Sequence, residues 1–122
     1  MPLTGECICG SVRFELKKDP RWLVDCNCSA CRKLGALWAH MHVEDVVLQC
    51  SPSDTFCYTR GDANIGFHSC ILCGSTTHWE GLTGENEDRI VFNMKLVPEK
   101  EIAHLRIRPF DGAVSWKYLD DE

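Results

Sequence analysis

The chain has 122 residues, 44% of them apolar, and 18 Asp and Glu against 13 Lys and Arg give a net charge of −5. That size suits one domain, residues 1–122, able to bury roughly two-thirds of its extended surface. The acidic balance, with no basic run beyond Lys17-Lys18 and Arg32-Lys33, speaks against nucleic acid, and no stretch is long and apolar enough for a membrane span.

Strands dominate the elements predicted along the chain. The opening Met1-Pro2-Leu3-Thr4-Gly5-Glu6 has neither the basic start nor the apolar core of a signal peptide, so the expected compartment is the cytoplasm. Val12, Phe14 and Leu16 alternate with Arg13, Glu15 and Lys17, a half-buried strand. Asp19-Pro20 marks a turn, and residues 21–25 read as a short return strand. Residues 29–34 suit one helical turn. Period-two patterns over 37–43, 46–50, 55–59 and 65–69 predict four more strands, broken by Ser51-Pro52-Ser53-Asp54 and Arg60-Gly61-Asp62. Residues 76–80 and 89–96 continue the pattern around a polar loop, 81–88, in which Glu85, Glu87 and Asp88 read as solvated. A helical turn over 98–103, a strand over 105–109 and a short helix over 113–119 complete the reading. Together these predict a mainly β domain of several small antiparallel sheets with few helical turns.

The chemistry lies in the cysteines. Seven of nine fall into three clusters: Cys7-Ile8-Cys9, Cys26-Asn27-Cys28-Ser29-Ala30-Cys31 and Cys70-Ile71-Leu72-Cys73. In a reducing cell such spacing favours metal over disulfides. On an extended segment Cys7 and Cys9 point to one side, and Cys70 and Cys73 have the spacing of a knuckle. Gly10 and Gly74 follow the two pairs and supply the left-handed backbone such turns need. These four thiolates suit a closed structural zinc site, a clip between the first strand and the middle of the fold. Buried thiols or a latent disulfide are the alternative.

Cys26, Cys28 and Cys31 form a separate set of three, short enough to wrap one ion and leave a coordination position open. The competing reading is a second structural site completed by His40, His42, His68, His78 or an acid. Three thiolates weaken zinc as a Lewis acid for hydrolysis but suit a substrate thiol, because zinc favours soft sulfur and deprotonates a coordinated thiol. Carbon–sulfur bond making or breaking follows as the expected chemistry.

Three segments carry a family resemblance. They are Gly5-Glu6-Cys7-Ile8-Cys9-Gly10-Ser11-Val12-Arg13-Phe14, Cys26 through Ala36, and Phe67-His68-Ser69-Cys70-Ile71-Leu72-Cys73-Gly74-Ser75. With the ending Phe110-Asp111-Gly112-Ala113 through Leu119, they resemble the glutathione-dependent formaldehyde-activating enzyme family, also called the centromere protein V family. The resemblance implies a tent-like β fold, a structural zinc on Cys7, Cys9, Cys70 and Cys73, and a catalytic-type zinc on Cys26, Cys28 and Cys31. It also implies reversible condensation of glutathione with formaldehyde to S-hydroxymethylglutathione, a carbon–sulfur lyase reaction. The chain departs from the family pattern at His68 and Ser69, where members often place Arg and Phe around the first cysteine.

Arg32 and Lys33 follow the set of three and could hold a carboxylate of a thiol peptide. The histidines are candidates for proton transfer. Trp38 and Trp79 read as core or pocket wall, and Asn93 as a buried polar anchor. Cys50 and Cys57 flank a turn and could face each other across a hairpin, most simply as buried thiols. The leading functional expectation is a zinc-dependent lyase-like enzyme with two zinc ions, a small thiol such as glutathione and an aldehyde. The alternative is a non-catalytic zinc module that binds a protein.

Overall fold

The structure, a computed structural model, describes residues 2–59, 64–84 and 87–120. Its strands are β1 (Leu3–Glu6), β2 (Arg13–Leu16), β3 (Leu23–Cys26), β4 (Trp38–His42), β5 (Val46–Gln49), β6 (Thr55–Thr59), β7 (Ile65–Cys70), β8 (Thr76–Gly81), β9 (Arg89–Asn93), β10 (Ile107–Asp111) and β11 (Lys117–Tyr118). Two short helices, α1 (Ser29–Leu34) and α2 (Glu99–Ile102), fall at the two expected helical turns. The mainly β reading therefore holds. The predicted break Arg60-Gly61-Asp62 and the loop residue Glu85 lie outside the described residues.

The strands gather into two sheets, β1-β2-β5 and β11-β10-β3-β4-β9-β8-β7-β6. Neighbours run antiparallel except β3 and β10, which pair in parallel with Phe110 opposite Cys26. Residues 21–25 do not return along β2. They enter the large sheet as β3, while β2 lies between β1 and β5. Alternation identified the strand but carried no information about its partner.

Alternation explains how the sheets stack. Phe14 and Leu16 of the small sheet pack on Leu23, Ala39, Met41, Ile90 and Phe92 of the large one. The rings of Phe14 and Phe92 stack at 4.2 Å and 14°. Phe14 also needs a glycine beneath it, because a β-carbon on Gly5 would stand 2.5 Å from its ring. The opposite face of the large sheet carries a second core of Val24, Trp38, Phe67, Trp79 and Val91.

Asn93 is the buried polar anchor foreseen. Its side chain donates to the Thr76 carbonyl at 2.8 Å and accepts from the Leu37 and Lys95 N–H groups. That last bond caps a 3-10 turn over Met94–Leu96, so the strand predicted to reach residue 96 stops at Asn93.

The helix expected over 113–119 does not form. The Asp111 carboxylate accepts the N–H groups of Val114 and Ser115, which offers this backbone a turn instead of a helix. Trp116 then adopts φ 59°, outside the helical region, and the chain returns as β11. Arg108 anchors this end. Its buried guanidinium lies over the Trp22 and Tyr118 rings and bonds Asp120 at 3.1 Å.

Candidate metal centres

The structure brings the seven clustered cysteines together as a set of four and a set of three. The sulfurs of Cys7, Cys9, Cys70 and Cys73 lie within 4.8 Å of one another, as do those of Cys26, Cys28 and Cys31. All nine cysteines are free thiols.

In the set of four, Cys7 and Cys9 converge through a turn rather than along a strand. β1 ends at Glu6, and the Gly10 N–H closes onto the Cys7 carbonyl at 3.0 Å with Gly10 at φ 81°. The Gly74 N–H closes onto the Cys70 carbonyl in the same way at 2.9 Å, with φ 80°. The two glycines thus do what was expected of them. Cys9 stands 3.7 Å from Cys7 and 3.6 Å from Cys70, sulfur to sulfur. A zinc–sulfur distance of about 2.3 Å implies a tetrahedral edge of about 3.8 Å, so these donors fit zinc. Hydroxyls help hold sulfur charge: Ser11 lies 3.2 Å from Cys9 and from Cys70, and Ser75 lies 3.3 Å from Cys73. The Ser75 hydroxyl, followed by backbone N–H groups, lowers the Cys73 thiol to about 5. Cys70 is lowered as well, chiefly by Ser11.

The set of three is built where β3 meets α1. Cys26 ends the strand, Cys28 caps the helix with its sulfur accepting the Cys31 N–H at 3.3 Å, and Cys31 lies one turn in. Gly35, at φ 66°, ends the helix and sends the chain into β4. The Trp38 indole N–H donates to the Cys31 sulfur at 3.2 Å, an interaction the sequence reading missed. Burial, then Cys28 beside it, pushes the Cys31 thiol up, and burial lifts Cys26 too. At Cys28 burial acts in the same sense, but N–H and S–H donors led by the Cys31 backbone outweigh it and lower the thiol. Desolvated thiols of this kind ionise together when a cation neutralises them. Among the described residues no further Cys, His, Asp or Glu donor lies within reach of all three sulfurs.

The candidate histidines are sorted by sheet face. His78 and His68 stack at 4.6 Å on the side of Ala39 and Phe92, away from Trp38. His68 bonds Thr55 and Glu80, and His78 bonds Thr77. His42 pairs with Asp88 at the end of β4. His40 alone of the four meets the core beside the three cysteines, its ring edge-to-face with Trp79 at a centroid distance of 5.7 Å. His40 as a residue is exposed, while the protein packed around its ring desolvates it. Burial, with Arg89 second, lowers His40 to about 4.

Burial, with His68 second, lowers His78 from 6.5 to about 3. The unfolded chain therefore takes up this proton first. The resulting stability is complete above about pH 6.5 and is lost as pH falls toward 3, by up to about 1.4 kcal/mol per pH unit. Urea melts from pH 7 to pH 5 should show a shallower loss in His78→Gln than in the wild type. Equal slopes would contradict this.

Arg32 and Lys33 are exposed in the last turn of α1. Trp38 and Trp79 are buried core residues. Cys50 and Cys57 do not face each other, because β5 and β6 belong to different sheets. Cys50 packs by Cys7, Val12 and Cys70, and Cys57 lies exposed on the outer strand opposite His68. A cavity of about 1070 Å³ opens between β1, β2 and the segment around α2, and among the described residues no cysteine or histidine lines it. No helix among the described residues is long and apolar enough to cross a membrane.

No curated protein matches the chain. The crystal structure of a Rhodobacter sphaeroides protein is similar in fold, at TM-score 0.68 and 24% identity over 86% of this chain and 99% of that one. The model of the glutathione-dependent formaldehyde-activating enzyme family matches residues 2–108, and the chain, with its paired cysteine clusters, belongs to that family.

Proposed function

We propose that this domain, residues 1–122, is a cytoplasmic zinc-dependent carbon–sulfur lyase-like enzyme that makes or breaks a thiol–aldehyde adduct of the S-hydroxymethylglutathione kind. Cys7, Cys9, Cys70 and Cys73 would hold a structural zinc, and Cys26, Cys28 and Cys31 a second, catalytic-type zinc. The observation that carries the reading is the contrast between four gathered sulfurs and three with no further donor among the described residues. Zinc on the three sulfurs would supply a soft cation that keeps a substrate thiol ionised.

In the forward direction the thiol sulfur bonds to the aldehyde carbon, the carbonyl electron pair moves to oxygen, and the thiol proton ends on that oxygen. The reverse breaks the carbon–sulfur bond and returns the proton. His40 is the candidate to carry it, since its ring is unprotonated at neutral pH and the residue is exposed beside Trp79. Trp38, Phe67 and Trp79 form an apolar wall that limits water. Arg32 and Lys33 are candidates to bind the carboxylates of a peptide thiol.

A protein-binding role has one observation in its favour. Ile8, Ile71 and Leu72, at the tips of the two turns that carry the four cysteines, are more than half exposed. The two readings part on turnover. Glutathione titrated into zinc-loaded protein, with carbon-13 formaldehyde followed by NMR, should bind and exchange with the adduct faster than the uncatalysed reaction. No binding and no acceleration with glutathione or another small thiol would refute the enzyme.

A further inference from the structure

We propose that Asn27, Asp111 and Gly112 are positioning residues: they fasten the segment from 110 to 116 onto the three-cysteine loop and so set that loop's affinity for metal. The inference rests on the reading above that Cys26, Cys28 and Cys31 hold an ion.

Asn27 lies between two of the sulfurs and is tied to this segment at three points. Its backbone N–H donates to the Phe110 carbonyl, its side-chain amide donates to Asp111 Oδ1, and its side-chain oxygen accepts the Ala113 N–H, each at 3.1 Å. Asp111 is itself fixed. Besides Asn27 it accepts the Val114 N–H at 3.2 Å, the Ser115 N–H at 3.1 Å and the Ser115 hydroxyl at 2.8 Å. The Trp116 N–H closes the loop onto the Asp111 carbonyl at 2.7 Å.

This strap touches the sulfur site directly. A β-carbon added at Gly112 would stand 2.7 Å from the Cys26 sulfur and 3.2 Å from the Cys28 β-carbon. Neither neighbour can yield cheaply, since Cys26 is held in β3 and Cys28 caps α1. Gly112 therefore lets the strap close over the loop without displacing its sulfurs. Groups that orient metal ligands in this manner typically change metal affinity 10- to 100-fold when removed.

The test is metal titration of the full chain, with cobalt(II) absorption as the probe and zinc competition for affinity. Wild type, Cys28→Ser, Gly112→Ala, Asn27→Ala and Asp111→Asn are compared, and the Cys28→Ser titration identifies the four-sulfur signal. We expect wild type to bind two ions. The three strap variants should bind the second ion about 10- to 100-fold more weakly, while the first ion and the melting temperature stay close to wild type. Strap variants with an unchanged second ion would overturn the proposal and leave the enzyme reading intact. Loss of both ions together in every strap variant would also overturn it, because the strap would then serve the whole fold. One ion in wild type, unaffected by Cys28→Ser, would overturn both the proposal and the reading it rests on.

Discussion

Cys70→Ser is expected to leave the chain without a cooperative fold at room temperature, even with zinc in excess. The Cys7 and Cys9 turn joins β1 to β2 in the three-stranded sheet, and the Cys70 and Cys73 turn joins β7 to β8 in the eight-stranded one. The proposed ion therefore ties the two sheets together across the chain. Little else is available at that corner, where the buried apolar cluster consists of Cys7, Val12 and Cys70. Structural zinc sites contribute on the order of 10 kcal/mol to folding in peptides. A whole domain has only about 5–15 kcal/mol of net stability. Losing the site would remove most of it. Circular dichroism and thermal melting measure this, and a cooperative melt within a few degrees of wild type would contradict a structural role for the ion.

Cys28→Ser should give the opposite pattern, with one ion lost, adduct chemistry reduced to the uncatalysed rate and the fold retained. Cys28 is the N-cap of α1, and serine is among the best N-caps, so its hydroxyl can accept the Cys31 N–H in place of sulfur. The change thus removes a soft ligand while keeping the local hydrogen bond. Elemental analysis should fall from two zinc ions per chain to one, with a melting temperature within a few degrees of wild type. Two ions retained, or unchanged turnover, would remove Cys28 from the proposed site.

The two predictions differ because the two cysteine sets do, and that partition was readable from spacing alone. Strands such as β2 and β4 were readable too, since a half-buried strand writes its period into side chains two residues apart. Pairing was not. Nothing in residues 21–25 indicates that β10, far along the chain, will be their parallel neighbour. The same limit hid which histidine shares a face with the cysteines. His40 and His78 look alike in sequence, and only the register of β4, β9 and β8 separates them. At the end of the chain a local competition decided the outcome, as Asp111 captured the N–H groups that a helix over 113–119 would have used. Gly112 was legible as part of a familiar motif, but its close approach to Cys26 joins distant segments and leaves no periodic trace.

That approach also imposes an order in time. On the ribosome the chain emerges from its amino end, so residues 7 through 73 are available while residue 112 is still to come. All four sulfurs of the proposed structural site are therefore available before the strap that packs on the other three. The other three sulfurs gain their strap only after residue 112 has emerged, so the proposed second metal site is completed later than the first.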